Sequence, residues 1–69
     1  MIVIENRIGT KILINVNDIS TVSEIKDNST KKMFCMISFI SSIDGEVYTD
    51  EDFYDIELKI RKDSETNLG

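Results

Sequence analysis

Short aliphatic segments separated by polar turns dominate the first half of the chain, and they predict a series of short β-strands. Residues 1–5 and 11–15 have the length and composition of strands, and the turn between them contains Gly9, which can adopt a positive φ. A third strand over residues 19–25 alternates poorly between apolar and polar positions, which predicts a β-bulge within it. The six polar residues 27–32 predict a solvated loop before the next strand.

Residues 33–43 form the most apolar segment, since only serine interrupts it and it contains no charge. Written as a strand, the segment presents an apolar surface on both sides. One face carries Cys35, Ile37, Phe39 and Ile43, and the other carries Phe34, Met36 and Ile40. The dipeptide Asp44-Gly45 then predicts a tight hairpin turn, followed by a short last strand over residues 46–48.

Residues 49–62 fit two structures. Strand-like alternation places charged residues between the apolar ones, which are Tyr54, Ile56, Leu58 and Ile60. Thr49 and Asp52, in contrast, have the spacing of a helix N-cap and its N3 partner. Two pairs of opposite charge at i,i+4 spacing also favour a helix; these are Asp55–Lys59 and Glu57–Arg61.

The distribution of charge along this segment strengthens the helical interpretation. Acidic residues 50–52 lie at its start, and the basic residues Lys59, Arg61 and Lys62 lie at its end, as the helix dipole prefers. We therefore predict an α+β fold, a small antiparallel β-meander of about five strands with a C-terminal helix. The alternative is an all-β fold with residues 54–61 as a sixth strand. Residues 1–62 form one small domain in this prediction, and residues 63–69 form a flexible tail.

The predicted helix has two apolar stripes. Phe53, Ile56 and Ile60 lie together and would pack on the sheet, whereas Tyr54 and Leu58 project from the opposite side. That second stripe either flanks the edge of the sheet or contacts a partner. Combined with the two apolar faces of residues 33–43, it predicts self-association. The predicted oligomer interface consists of Phe34, Met36, Ile40, Tyr54 and Leu58.

The size and composition of the chain also favour self-association. A domain of 69 residues has a thin core, and such domains commonly depend on disulfides, metals or oligomerisation. Cys35 is the only cysteine, which excludes an internal disulfide, and histidine, the commonest zinc ligand, is missing. Oligomerisation remains, so the predicted partner is a second copy, as a homodimer or higher oligomer. The apolar start of the chain is too short for a signal peptide, which predicts a cytoplasmic protein with a reduced Cys35.

Charge and residue types exclude several functions. The net charge of −5 and a pI of about 4.5 oppose nucleic-acid binding and attraction to anionic membranes. Without histidine, Cys35 lacks its usual activating base, and no phosphate-binding loop is present. The acidic residues Asp50, Glu51, Asp52 and Asp55 do not follow the spacing of a calcium-binding loop. We therefore predict no enzymatic activity, no catalytic residues, no cofactor and no metal.

A small ligand could bind between subunits. Candidate ligand-binding residues are Arg7, Lys11, Tyr48 and Tyr54, because arginine and aromatic side chains are enriched at binding surfaces. For each of these side chains taken singly, a position at the border of the core or on a solvated face is the simpler interpretation. The twelve isoleucines and the absence of alanine and proline suggest AT-rich coding, as in some bacteria and their phages.

Two segments resemble the short FlbD-like flagellar or swarming proteins. The first carries Gly9, Ile14-Asn15, Ile19, Val22 and Glu24, with Val16-Asn17 where that family usually has Pro-Asp. The second carries Ile37, Phe39, Asp44-Gly45, Val47, Glu51-Asp52-Phe53, Ile56 and Lys59-Ile60. The resemblance implies a small β-meander with a C-terminal helix and a non-enzymatic accessory role.

The chain also resembles the CsrA-type RNA-binding regulators in its start, residues 1–4 with Arg7 and Gly9, and in the helix that carries Tyr54. This resemblance implies an intertwined dimer of five strands and a helix. The basic residue that the family carries before the helix is replaced here by the acidic segment 49–52. That replacement opposes RNA binding by this chain.

Three functional hypotheses follow. The leading one is a non-enzymatic, small oligomeric binding or accessory module that acts through protein–protein contacts. The second is a phage-encoded sponge that sequesters a nucleotide signal of host defence in pockets between subunits. The third is a CsrA-like RNA-binding regulator.

Overall fold

The computed structural model describes residues 1–42 and 44–67 and contains five antiparallel strands followed by one helix. The strands are β1 (Ile2–Glu5), β2 (Lys11–Ile14), β3 (Ile19–Lys26), β4 (Met33–Phe39) and β5 (Glu46–Thr49), and the helix is α1 (Phe53–Asn67). A short 3-10 helix, Val16–Asp18, connects β2 to β3. The predicted α+β fold is confirmed, and residues 54–61 are helical rather than a sixth strand.

Strands β1 and β2 form a separate two-stranded hairpin. Their register places Ile2 opposite Ile14 and Ile4 opposite Ile12, and this face packs into the core. The turn has the predicted positive φ at Gly9, +88°, and the carboxamide oxygen of Asn6 accepts the N–H groups of Ile8 and Thr10. The other face of the hairpin, with the cross-strand pair Val3–Leu13, is exposed.

Strands β3, β4 and β5 form a three-stranded sheet with β4 in the centre. The predicted bulge is present, because the register between β3 and β4 shifts between Ile19 and Thr21. The predicted loop before β4 is a tight polar turn in which the Asp27 carboxylate accepts the N–H of Ser29 at 2.9 Å.

Strand β4 is shorter than the apolar segment that predicted it. It ends at Phe39, residues 40–42 are not strand, and Ile40 does not belong to either face of the sheet. The reason is a clamp by Asp18, whose backbone carbonyl accepts the N–H of Ile40 and whose carboxylate accepts both the N–H and the hydroxyl of Ser41. The connection to β5 is therefore longer than the predicted Asp44-Gly45 hairpin turn. Ile43, predicted to extend the core face, lies outside the described residues.

The start of α1 also differs from the prediction. Thr49 is the last residue of β5 and not an N-cap. The carbonyl of Asp52 instead accepts the first helical N–H, from Ile56, so Asp52 is the residue that precedes the helix. The Thr49 side chain is fully buried, donates its hydroxyl to the Glu5 carbonyl and accepts the N–H of Glu51.

The helix continues to Asn67, into the segment predicted to be a flexible tail. No proline or glycine interrupts residues 63–67, and Asp63 forms an ion pair with the amino group of Met1. The basic residues Lys59, Arg61 and Lys62 consequently lie in the middle of the helix, and its last turn carries no basic residue. Of the two predicted i,i+4 pairs, Glu57–Arg61 forms, whereas Lys59 bonds to Glu51 and to the carbonyl of Val3. Leu68 and Gly69 lie outside the described residues.

The core lies where the hairpin, the sheet and the helix meet. Ile4 of β1, Ile37 of β4 and Ile56 of α1 are completely buried and represent the three layers. Phe53 and Ile60 pack against the same cluster, as the first helical stripe predicted. The core therefore covers one face of β4 and leaves the other face of the sheet outside it.

Candidate functional site

The surface of interest is the side of the three-stranded sheet that faces away from the core, which we call the outer face. The register places Met36 in the middle of this face, between Ser23 of β3 and Tyr48 of β5. Phe34 lies beside it, opposite Ile25. The rings of Phe34 and Tyr48 pack at a centroid distance of 6.2 Å with a tilt of 51°. An apolar and aromatic cluster thus occupies the centre of the outer face.

Arg7 covers one end of this cluster and ties the hairpin to the sheet. Its guanidinium carbon lies 4.7 Å from the centroid of the Phe34 ring, within the range of a cation–π contact. The same guanidinium lies 3.0 Å from an Asp50 carboxylate oxygen and 3.6 Å from one of Asp27. The backbone N–H of Arg7 donates to the carbonyl of Tyr48 at 3.0 Å. Arg7 therefore holds two carboxylates and an aromatic ring at the border of the outer face.

Two titratable groups at this border have shifted pKa values. The pKa of Asp27 is lowered, first by the backbone N–H of Ser29 and further by that of Thr30 and by the charge of Arg7. The pKa of the Tyr48 hydroxyl is raised because it donates to Glu46 at 2.6 Å and the charge of that carboxylate opposes ionisation. The border of the outer face is therefore polar and charged.

The predicted interface residues do not form one surface. Phe34 and Met36 lie on the outer face and are half-buried within the single chain. Ile40 lies beyond the end of β4 and is 67% exposed. Tyr54, which is 60% exposed, and the half-buried Leu58 lie on the helix, on the side away from Ile56. The strand residues and the helix residues would need separate partners or separate contacts of one partner.

The predicted ligand-binding residues are also divided. Arg7 and Tyr48 line a groove of about 400 Å³ between the hairpin turn and β5, together with Ile8 and Ile12. Lys11 lines a different depression of about 580 Å³ between the hairpin and the helix, where Lys59 and Glu51 already pair. Tyr54 is not among the residues that line either depression in the described part of the chain.

Charge at the Arg7 groove disfavours an anionic ligand. Glu46 lines the groove and accepts the Tyr48 hydroxyl, so the phenol is not free to donate to a phosphate. The Arg7 guanidinium is already opposed by Asp27 and Asp50. A phosphate would have to displace these carboxylates before it could reach the guanidinium.

Cys35 has the surroundings of a packing residue. It is 1% exposed on the core face of β4, and burial raises the pKa of its thiol, so little thiolate forms at neutral pH. Across residues 1–42 and 44–67, no group of three or more Cys, Asp or Glu side chains is arranged to hold a metal ion.

Three residues shape the site in roles that the sequence pattern did not predict. Asp18 binds Ser41 just beyond the end of β4, and Thr49 at the end of β5 binds the carbonyl of Glu5. Both partners are distant in sequence, so only the folded chain brings them together. Ile25 extends the outer face onto β3, and its alternation with Glu24 and Lys26 was a usable signal within a poorly alternating strand.

Comparison of the chain with protein-family models, with curated proteins and with solved structures found no match. Within the described residues, no helix has both the length and the apolar character needed to cross a membrane.

Proposed function

We propose that the protein is a small self-associating module that acts through protein–protein contacts made by the outer face of its sheet. The observation that supports this most strongly is the composition of that face, which presents Phe34, Met36, Ile25 and Tyr48 on the side opposite the core. Aromatic residues, methionine and arginine are the types enriched at interfaces, and a polar rim around an apolar centre is their usual arrangement.

A second copy is the partner that fits this surface. A two-fold contact brings the same patch together from both subunits, so an apolar centre meets an apolar centre. The centre carries no charge, and the border carries both signs, in Arg7, Glu46 and Asp50, so it does not present a rim of a single charge to a second copy. A standard interface takes about 800 Å² from each partner. That area is about one sixth of the 4928 Å² surface of this chain.

The test compares two lysine substitutions by sedimentation velocity. Met36→Lys places a charge in the centre of the outer face, whereas Leu13→Lys places the same charge on an apolar side chain that is 64% exposed on the hairpin. Full burial of a methionine stabilises by about 1.5–3 kcal/mol. Met36 is already half-buried in the single chain, so the interface adds roughly half of that energy, and a two-fold contact contains it twice. M36K should therefore weaken the dimer roughly tenfold or more.

Leu13→Lys should leave the sedimentation of the wild type unchanged, and circular dichroism should show both variants folded. If M36K and L13K associate as strongly as the wild type, the outer face is not the contact surface. The nucleotide-sponge and RNA-binding hypotheses stay predictions from the sequence. Calorimetry with cyclic nucleotides and a gel shift at physiological salt are their respective tests.

A further inference from the structure

The outer edge of β3, on the side away from β4, is a second surface where backbone N–H and C=O groups can pair with another strand. The N–H of Asp27 donates to the carbonyl of Lys32, so Asp27 and Lys32 form a hydrogen-bonded pair at the end of the β3–β4 ladder. Hydrogen-bonded and non-hydrogen-bonded pairs alternate along an antiparallel ladder, so this bond fixes the type of every other pair. Ile25 and Ser23 then exchange hydrogen bonds with Phe34 and Met36, and the backbone groups of Val22 and Glu24 point away from β4. In the described part of the chain the sheet order is β3-β4-β5, so no strand pairs with that side of β3.

An apolar groove lies directly beside this edge. Val22 of β3 lines it together with Phe53, Ile56 and Ile60 of the helix, and its volume is about 110 Å³. Glu57 lies at the same groove and pairs with Arg61 on the helix surface. An exposed strand edge next to apolar surface is a template for pairing with another strand. Its occupant must bring backbone hydrogen bonds and an apolar side chain.

We propose that this occupant is the β3 strand of a second copy, paired antiparallel about a two-fold axis at Val22. The segment from Thr21 to Ser23 is self-complementary about that residue. Val22 then lies opposite Val22 of the partner subunit and exchanges two backbone hydrogen bonds with it. The two-fold axis also creates two equivalent pairs, in which Thr21 of one subunit lies opposite Ser23 of the partner subunit. Such hydroxyl pairs are favourable across strands. Ser20, in the bulge, limits the pairing at one end.

The neighbouring registers are disfavoured by charge. An axis at Ser23 would place the carboxylate of Glu24 of the partner subunit beside Val22, at an apolar groove that already carries Glu57. An axis at Glu24 would place two carboxylates directly opposite each other, which destabilises a strand pair. The register at Val22 avoids both contacts and brings an aliphatic side chain to the groove.

This pairing would extend the sheet from three strands to six and set the two outer faces side by side. The inference rests on the proposed function only in taking a second copy as the partner, since it uses the backbone groups at the edge of the sheet and not the apolar centre of the outer face. The two surfaces do not overlap in their central residues. One subunit could therefore use both, which would produce assemblies larger than a dimer.

Amide hydrogen exchange tests the edge directly, because it reports single N–H groups. We expect the amide of Val22 to be protected at high protein concentration and to exchange at least tenfold faster on dilution below the dissociation constant. If the protein self-associates while the Val22 amide exchanges freely at every concentration, the edge pairing is overturned and the proposed outer-face contact is not. A protein that is monomeric throughout overturns both.

Paired charges test the register. T21K/S23K and T21E/S23E each place like charges opposite one another at two positions and should weaken the edge dimer roughly tenfold. T21K/S23E places opposite charges at the same two positions and should leave the affinity within about threefold of the wild type. Equal affinity for all three variants would overturn the register, and circular dichroism shows that each remains folded.

Discussion

The buried hydroxyl of Thr49 links the hairpin, the sheet and the segment that leads into the helix, so its removal should weaken the whole fold. The side chain is fully buried, donates to the Glu5 carbonyl at 2.6 Å and accepts the N–H of Glu51 at 3.1 Å. Thr49→Val keeps the shape and removes both hydrogen bonds. At about 1 kcal/mol for each hydrogen bond, we expect a loss of about 2 kcal/mol in the free energy of unfolding.

Thr49→Ser is the matched control, because it keeps the hydroxyl and removes one buried methyl group. We expect it to cost about 1 kcal/mol, less than the valine variant. A domain of this size is stable by about 3–10 kcal/mol, so a loss of 2 kcal/mol lowers Tm by roughly 8–16 °C. Urea unfolding followed by circular dichroism measures both variants, at one protein concentration since self-association adds to stability. T49V as stable as the wild type, or more stable than T49S, would contradict this role of the Thr49 hydroxyl.

Two further predictions concern titratable groups. The pKa of Asp27 is lowered chiefly by the N–H of Ser29, so its ionised form stabilises the fold above the ordinary Asp pKa and this contribution disappears as pH falls through the lowered value. Asp27→Asn should therefore be less stable than the wild type at pH 7, with a difference that shrinks in acid, and urea unfolding at several pH values should show that trend. The buried Cys35 thiol, whose pKa is raised by burial, should react with Ellman's reagent only slowly until urea unfolds the protein. Rapid reaction in native buffer would contradict its placement in the core.

The strands, the Gly9 turn and the helix could be predicted from the sequence, because each is marked by residues close together along the chain. Pairs such as Ile2 and Ile4 mark a strand with one buried face, Gly9 marks a turn that needs positive φ, and the Glu57–Arg61 pair marks a helix. The choice between helix and strand for residues 54–61 could be made from charge and spacing. The two apolar faces of β4 could also be predicted from the sequence, and the face with Phe34 and Met36 was predicted to remain outside the core.

Element boundaries were less predictable, because contacts distant in sequence set them. The apolar segment 33–43 carries no local stop signal at Phe39, and the clamp that ends the strand comes from Asp18. Thr49 has the sequence context of a helix cap, but its hydroxyl bonds to Glu5, far away along the chain. For the same reason the sequence placed Arg7, Lys11, Tyr48 and Tyr54 in one candidate pocket, whereas the fold brings only Arg7 and Tyr48 together.

Sedimentation velocity of the wild-type protein over a dilution series tests self-association most directly. We expect a species of at least twice the 7.9 kDa chain mass at micromolar concentration, which dissociates on dilution. A folded species of 7.9 kDa at every concentration, with the circular dichroism of an intact sheet and helix, would contradict it.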